Sequence, residues 1–333
     1  MQEIVNNSVL NSFKSEIDKT LGEVLKSNDK VVLLDQPVHR NLGDTFIWQG
    51  EIDTLKRLNK KIMYKSVSHR TNWDFIDSLD PEIPLLLHGG GNMGDIWIHY
   101  EEFRRYVVER YPNRRIVILP QTLQYNDKSN LRETAKVFSS AQNLTIISRT
   151  HKGIDEYGDS FSENNFIFAP DMALGIDIHK YHPNLSFPKK PLIIQRDDKE
   201  SKDKRVFVGD NAPSDWIFSE RNTKEWHYVS LLNRLVVSKK LPLSAVVATQ
   251  NIQSELMRYL NMRAAFEMFA SASVVVSNRL HAHIFASILG IPNFVSDNNY
   301  GKISTIYHEY THKFPNVVLT ESIEESFKKA HIK

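Results

Sequence analysis

Apolar residues recur along this chain in two alternating patterns. Over residues 8–27 they fall at helical spacing with charges between them, which predicts an amphipathic helix. Short, continuous apolar runs follow and alternate with longer segments of helical period. The runs predicted as strands in this half are residues 31–35, 61–64, 84–88, 115–120, 144–149 and 166–171.

This alternation predicts the fold class. Strands that alternate with helices form βαβ units and therefore a parallel sheet. The apolar runs are continuous, as expected of strands that are covered on both faces. Such sheets bind ligands beyond the carboxyl ends of their strands, so we expect functional residues in the loops that follow them.

A change of composition predicts a second unit. Residues 179–191 collect histidine, proline and lysine, which indicates a linker. A second alternating series follows, with strands predicted at residues 191–196, 244–248, 273–278 and 291–296. We therefore expect an α/β protein with two Rossmann-like, doubly wound domains, residues 1–178 and 192–333, facing a cleft that holds the active site.

Composition narrows the classes of protein. A chain of 333 residues suits two domains, and 41% hydrophobic with 25% charged residues is typical of a globular protein. The absence of cysteine excludes disulfides, thiolate metal sites and cysteine nucleophiles. Four histidines have spacings that occur in metal sites: His179, His182, His308 and His312. No glutamate accompanies them as in a metalloprotease motif, so no metal site is predicted.

Charge and hydropathy bear on partners and location. The net charge is +2 and the basic residues are spread along the chain, which does not predict a nucleic-acid partner. No stretch approaches the roughly 20 apolar residues that span a bilayer, and the first 30 residues lack the features of a signal peptide. We expect a cytoplasmic protein; peripheral contact with the inner face of the membrane and a homo-oligomer stay open.

A glycine-rich segment directly follows the third predicted strand. It runs His88-Gly89-Gly90-Gly91-Asn92-Met93-Gly94-Asp95 and differs from both the Walker A loop and the dinucleotide fingerprint. Glycines let a backbone approach a ligand closely, and exposed amides near a helix N-terminus attract anions. The alternative is a tight turn that packs one domain on the other. The candidate substrate-binding residues here are Gly89, Gly90, Gly91, Asn92 and Asp95.

Two further polar segments lie at strand ends. Asn41 and Asp44 follow the first strand, where Asp44 either contacts a ligand or caps the next helix. Arg279, His281 and His283 follow the strand at residues 273–278. Arginine suits carboxylate and phosphate, and histidine transfers protons near neutral pH, so this group predicts an anion clamp beside a proton donor. An interdomain ion pair and a structural histidine are the alternatives.

Several single residues complete the candidate site. Arg149 and Arg196 each end a strand, in different halves, and are candidates to converge on one anion or to form ordinary ion pairs. Asp171 ends the last strand of the first half and is a candidate general base, sugar ligand or helix cap. Asn298 and Lys302 lie in a late loop where the lysine either meets phosphate or is solvated.

Taken together, these motifs resemble the polysaccharide pyruvyltransferases, in particular those of bacterial exopolysaccharide biosynthesis. The segments that carry the resemblance are Asn41-Leu42-Gly43-Asp44, residues 89–95, Leu119-Pro120-Gln121, Ser148-Arg149, Pro170-Asp171-Met172, residues 277–281 and residues 297–302. The resemblance implies a fold like that of GT-B glycosyltransferases. It also implies a phosphoenolpyruvate donor, bound on the side of the second domain, and a carbohydrate acceptor on the side of the first.

The resemblance further implies a reaction that forms a cyclic pyruvate ketal without a cofactor. Arg279 would hold the donor and His281 would protonate its methylene carbon, with Asp171 or Asp44 as candidate bases for an acceptor that is free or lipid-linked. The competing predictions are a glycosyltransferase that uses a nucleotide sugar and a non-catalytic partner in a polysaccharide assembly complex.

Overall fold

The computed structural model describes residues 2–26, 28–180, 189–196, 215–216, 218–237, 243–297 and 301–332. Most of the predicted linker lies outside the described residues, and so do residues 197–214 and the candidate ligand Asn298. Among the described helices, none is long and apolar enough to cross a membrane.

Strands and helices alternate along most of the chain. The strands are β1 (Lys30–Leu34), β2 (Lys61–Ser66), β3 (Leu85–Leu87), β4 (Gly90–Gly94), β5 (Ile116–Gln124), β6 (Leu144–Ser148), β7 (Asn165–Phe168), β8 (Lys190–Ile194), β9 (Ala272–Ser277), β10 (Asn293–Ser296) and β11 (Val317–Thr320). The helices are α1 (Gln2–Leu25), α2 (Leu42–Arg57), α3 (Trp73–Asp77), α4 (Ile98–Arg110), α5 (Lys128–Ser139), α6 (His151–Tyr157), α7 (Glu220–Val237), α8 (Leu243–Ala270), α9 (Leu280–Ile288), α10 (Lys302–Glu309) and α11 (Ile323–Lys329).

The first seven strands form one parallel sheet. Its order is β2-β1-β3-β5-β6-β7, and β4 pairs with β5 beyond the end of β3. The chain moves in opposite directions from β1, to β2 on one side and to β3 on the other. A crevice opens at such a switch point, beyond the carboxyl ends of the strands.

The described strands of the second half form a parallel sheet of their own. Its order is β11-β10-β9-β8, with every neighbouring pair parallel. The predicted mixed α/β architecture with parallel sheets is therefore confirmed. The strand β11 and the helix α10 are additional elements that the sequence pattern did not predict.

Helix α1 packs against elements of both halves. Its buried face carries the predicted apolar residues at helical spacing. Asn6 donates a hydrogen bond to the Ser287 carbonyl in α9. Phe13 packs against the rings of Tyr310 and Phe314, at centroid distances of 5.7 and 5.8 Å. The leading helix therefore contacts more than the first half to which the sequence pattern assigned it.

One hydrophobic core connects the two sheets. It contains buried residues of α1, β1 and α2 together with those of β8, α8, β9 and α9. At its centre, Phe46 of α2 stacks on Phe285 of α9 with ring centroids 4.1 Å apart. Burial of this much apolar surface is the main stabilising term for the contact between the two halves.

Two predicted elements were wrong. Residues 244–248 were predicted as a strand but belong to helix α8. A short apolar run does not distinguish a strand from a helix segment. Within this run Val247 is buried in the hydrophobic cluster that covers the first sheet. The glycine-rich segment was predicted as a loop, but residues 90–94 form β4, which pairs with β5.

Candidate active site

A polar cavity of about 550 Å³ lies where the carboxyl ends of strands from both sheets meet. We call it the cleft. Its cationic side chains come from both halves of the chain: Arg40, Arg149, Arg196, Arg279 and Lys302. Its other lining residues are His39, Asn41, Asp44, Gly91, Asn92, Trp97, Tyr100, Asp215, Trp216, Phe218, Leu280 and His281. Most candidate residues from distant parts of the sequence are therefore brought together.

A buried ionic group forms the floor of the cleft. Arg149 follows β6 and Asp171 follows β7, and their Nη1 and Oδ2 atoms are 2.5 Å apart. His281 Nε2 lies 3.3 Å from the same Asp171 oxygen and 3.5 Å from Arg149 Nη1. Arg149 also donates from Nε to Thr122 Oγ1 at 2.7 Å. The group links the two halves and fixes the guanidinium and the imidazole beside each other.

Asp171 is a poor general base, contrary to one sequence prediction. Its carboxylate is buried and accepts hydrogen bonds from Arg149 and from the Ala173 amide. Burial alone would raise the pKa of Asp171, but the charges of Arg149 and His281 lower it well below its usual range. Asp171 does not line the cleft, and its carboxylate contacts Arg149 and His281.

The N-termini of two helices meet at His281. This residue lies in the first turn of α9, and its ring rests against the first turn of α2. A Cβ atom placed on Gly43 would lie 2.6 Å from His281 Nδ1, so only glycine leaves room for the ring. Helix N-termini favour negative charge, which makes this end of the cleft suitable for an anion.

Arg279 lies at the N-cap position of α9 and forms an ion pair with Asp215. Its guanidinium also lies over the ring of Trp216, 5.7 Å from the centroid. Arg196, which follows β8, lines the same cavity and donates its backbone amide to Asn278 Oδ1 at 2.8 Å. The two arginines predicted from the second half therefore both reach the cleft.

Part of the glycine-rich segment borders the cleft. A Cβ atom on Gly91 would lie 2.8 Å from Arg149 Nη2 and 3.0 Å from Lys302 Nζ, so both cations approach the backbone there. Asn92 lines the cavity beside it. Its side-chain oxygen accepts a hydrogen bond from Arg104. The candidates Gly91, Asn92, Arg149 and Lys302, predicted separately, therefore lie together at the cleft.

Three residues of the same segment have structural roles instead. Gly89 donates its amide to Glu51 and lies against the Pro120 carbonyl, and Gly90 has a positive φ of 126° inside the sheet. Asp95 accepts hydrogen bonds from the amides of residues 126 and 127. None of Gly89, Gly90 and Asp95 lines the cleft: Gly90 is buried in β4, which pairs with β5, and Gly89 and Asp95 are held by their hydrogen bonds on either side of that strand.

His283 is also placed away from the cleft. It is completely buried, with Nδ1 at 2.8 Å from Asn293 Oδ1 and Nε2 at 2.8 Å from Thr311 Oγ1. Burial lowers the pKa of His283 to about 4. It was predicted as a substrate ligand, but two residues along a helix from His281 it points to a different side, into the core.

Asn41, and not Asp44 as predicted, caps α2, and both residues lie at the cleft. Asn41 caps α2, since its Oδ1 accepts from the Gly43 amide at 3.1 Å. The same oxygen accepts from Trp216 Nε1 at 3.0 Å, and Asn41 Nδ2 donates to Asp44 Oδ2 at 2.9 Å. Both residues also line the cleft. Burial alone would raise the pKa of Asp44, but nearby histidines, His39 above all, and Arg279 lower it.

Sequence reasoning missed several residues that line the cleft. Arg40 lies over the ring of Phe218 at 3.9 Å and adds a cation beside the predicted ones. Asp215 and Trp216 were part of a polar stretch without a recognisable pattern. Only Arg40 carried a usable signal, because it directly precedes Asn41 at the end of the first strand.

Two relatives and one solved structure are similar to this chain over most of its length. EpsO of Bacillus subtilis (strain 168), named as a candidate pyruvyl transferase, is 28% identical over 326 residues, and the match covers 96% of each chain. Pyruvyl transferase 1 of Schizosaccharomyces pombe is 27% identical over 300 residues, covering 85% of this chain and 70% of the yeast protein. The fold is similar to a crystal structure of an uncharacterised Klebsiella pneumoniae protein, with a TM-score of 0.61, 18% identity, and coverage of 93% of this chain and 99% of that one.

The sequence profile of a single family spans most of the functional residues described above. It matches residues 41–300, beginning at the cap of α2. That range contains the Arg149–Asp171–His281 group and Arg279. The chain belongs to the polysaccharide pyruvyl transferase family and is a polysaccharide pyruvyltransferase.

Proposed function

We propose that the cleft binds phosphoenolpyruvate and transfers its pyruvyl group to a sugar of an exopolysaccharide or its precursor. The product is a cyclic pyruvate ketal, and phosphate is released. The observation that carries this proposal is the set of four arginines and one lysine around His281. The donor carries a carboxylate and a phosphate, and both groups need cationic partners in a site of this kind.

The cations are arranged for two anionic groups. Arginine presents a planar fork that matches a carboxylate or a phosphate, whereas lysine acts as a compact charge. Arg149 and Lys302 approach each other at Gly91, on one side of His281. Arg279 and Arg196 enter from the second sheet. We propose that these two pairs hold the two ends of the donor, so that its central carbon lies beside His281.

His281 is suited to give the first proton. Its Nε2 is 3.3 Å from the Asp171 carboxylate, which holds the imidazole in place at the cleft. A proton delivered to the methylene carbon makes the central carbon electrophilic, so that a sugar hydroxyl attacks it. The fixed cations then stabilise the departing phosphate. A neighbouring hydroxyl of the same sugar closes the ketal.

The arrangement of the two sheets supports a finer proposal about the architecture. Each sheet is parallel, and strands of both end at the cleft. We propose a GT-B-like arrangement in which the second sheet provides the donor side and the first sheet the acceptor side. A lipid-linked sugar at the inner face of the membrane is the acceptor that would suit a cleft opening between them.

The test is phosphate release from phosphoenolpyruvate with a panel of nitrophenyl and lipid-linked sugars. We expect release that depends on an acceptor in the wild type and falls by at least 10²-fold in Arg279→Ala, because the variant loses a charge that holds the donor. Arg132→Ala is the matched control, since Arg132 is exposed on α5 and lies outside the cleft.

Binding separates the remaining outcomes. Phosphoenolpyruvate should raise the thermal unfolding temperature of the wild type, because a ligand that binds only the folded state stabilises it. A uridine nucleotide that raises it, with no effect of phosphoenolpyruvate and no phosphate release, would contradict the proposal.

A further inference from the structure

A second, smaller cavity adjoins the cleft on the side of the first sheet. Its volume is about 170 Å³, enough for part of a monosaccharide, and we call it the inner chamber. It shares His39, Asp44, Asn92 and Tyr100 with the cleft and adds Asp35 and His88 to them. A molecule in the inner chamber would therefore lie directly beside a donor held in the cleft.

His88 and Glu51 form a buried pair at this chamber. His88 follows β3 and Glu51 lies on α2, and their Nδ1 and Oε1 atoms are 2.9 Å apart. Glu51 Oε1 also accepts the Gly89 amide at 2.8 Å, which fixes the carboxylate. Trp48 packs edge-on against the imidazole at 5.4 Å and fixes the ring.

The pairing determines the tautomer of His88. An ionised carboxylate only accepts hydrogen bonds, so the proton of the neutral imidazole lies on Nδ1 and the lone pair on Nε2. Nε2 is buried and has no hydrogen-bond partner among the described residues. Such an atom is costly unless something else binds it, which marks the place where a substrate hydroxyl would complete the site.

The chemistry of the inner chamber differs from that of the cleft. The cleft collects arginines and a lysine, whereas the polar lining of the chamber consists of carboxyl, imidazole, amide, hydroxyl and phenol groups. Burial raises the pKa of Asp35, so this carboxyl is more easily neutral than usual. A lining of this type suits the hydroxyl groups of an uncharged sugar better than an anionic donor.

We propose that the inner chamber binds the hydroxyl-bearing edge of the acceptor sugar, and that His88, oriented by Glu51, accepts the proton of the attacking hydroxyl. This inference rests on the proposed function and names the acceptor side of the same site. It supplies a base where Asp171 is unsuitable. Although burial lowers the pKa of His88, Glu51 raises it above its usual range, which strengthens the base.

The proton balance of the reaction is complete with this assignment. His281 gives one proton to the methylene carbon, and the oxygen of the first hydroxyl bonds to the central carbon while its proton passes to His88. The bond between the central carbon and the phosphate oxygen then breaks. The second hydroxyl closes the ring, and its proton leaves with the phosphate. Exchange with solvent returns the proton from His88 and restores the one on His281.

The first test replaces the base by a neutral side chain. In His88→Gln we expect acceptor-dependent phosphate release to fall by about 10²- to 10⁴-fold, the usual range for loss of a general base. Phosphoenolpyruvate should raise the unfolding temperature of this variant as much as that of the wild type, because the cationic side chains proposed to bind the donor are intact. His308→Gln, an exposed position on α10, is the matched control and should keep full activity.

The second test uses the role of Glu51 as a positioning residue. Glu51→Gln keeps an acceptor for the His88 proton but removes the charge that raises the pKa of His88. The acidic limb of the kcat/KM profile for the acceptor should therefore move to lower pH, which a purely structural role would not cause. The other titratable groups of the inner chamber stay in place in this variant; they are Asp35, Asp44, His39, His69, His99 and Tyr100.

A third variant avoids the protein core. His69 lines the inner chamber from an exposed position, so His69→Trp fills the chamber without disturbing buried residues. We expect the KM for the acceptor to rise at least tenfold while the phosphoenolpyruvate shift stays unchanged. If the wild type turns over and His88→Gln is equally active, the inference is wrong but the proposed function stands. An unchanged KM for the acceptor in His69→Trp would have the same meaning. Absence of wild-type turnover and of any donor shift would instead refute the proposed function.

Discussion

At the scale of single residues, two glycines at the cleft are in close contact with functional side chains. Gly43 in the first turn of α2 contacts the ring of His281, and Gly91 lies against the cations Arg149 and Lys302. At both positions the side chain that is missing creates the space for a functional group. The geometry of His281 is consequently set by a glycine from the other half of the chain.

This contact gives a prediction for Gly43→Ala. The added methyl group would displace the His281 ring, and a displacement of about 1 Å at a catalytic group costs about 10²-fold in turnover. We expect that loss in phosphate release. The unfolding temperature should also fall, because overpacking costs about 1–3 kcal/mol and the helix preference for alanine over glycine offsets only about 0.5–1 kcal/mol of it.

Gly22→Ala is the control for this variant. Gly22 also lies in a helix, but its added Cβ would meet only Leu58 Cδ2, at 3.9 Å. Activity should stay at the wild-type level there. Equal turnover in the two variants would mean that the His281 ring has more freedom than its contact with Gly43 indicates.

At the scale of elements, α1 is the segment whose role changed most between sequence and structure. Its apolar face was predicted correctly, but periodicity does not identify what a helix packs against. Phe13 reaches Tyr310, whose hydroxyl accepts a hydrogen bond from the Asp171 amide at 3.4 Å. The helix therefore supports, through one intermediate residue, the carboxylate that orients His281.

We predict that Phe13→Ala destabilises the protein by about 3–5 kcal/mol, the usual cost of replacing a buried phenylalanine by alanine. The measurement is urea unfolding followed by circular dichroism. Lys19→Ala, at an exposed position of the same helix, should change the free energy of unfolding by less than about 0.5 kcal/mol. A similarly small effect of Phe13→Ala would show that α1 is not needed for the fold.

At the scale of the whole molecule, the two sheets share one hydrophobic core, so we expect them to unfold together. Stacking of Phe46 on Phe285 and the hydrogen bonds of α8 join the two halves away from the cleft. The ionic group of Arg149, Asp171 and His281 joins them at the cleft itself. An extensive apolar contact of this kind couples the unfolding of the elements on either side.

We therefore predict a single cooperative transition in differential scanning calorimetry, with the calorimetric and van't Hoff enthalpies equal. Phosphoenolpyruvate should raise the midpoint temperature of this single unfolding transition. Two separated transitions, of which only one responds to the donor, would contradict the prediction and would assign the halves independent stability.

The sequence predicted the features that depend on local chemistry. Continuous apolar runs between helical segments are enough to indicate buried parallel strands, and residues at the ends of such strands share one edge of the sheet for geometric reasons. Arg149, Arg196, Arg279, His281 and Lys302 were found in this way, and all of them line the cleft.

The tertiary structure decided whatever depends on pairing between distant segments. Residues 244–248 belong to a helix whose Val247 packs in the cluster that covers the first sheet. Gly90 is held in β4 by its pairing with β5, and Gly89 and Asp95 by their hydrogen bonds beside it. His283 and Asp171 have the right chemistry for a site but became buried, with their hydrogen bonds already formed. Local sequence determines which groups a chain can offer; burial and partners, which only the folded chain supplies, determine which of them face a substrate.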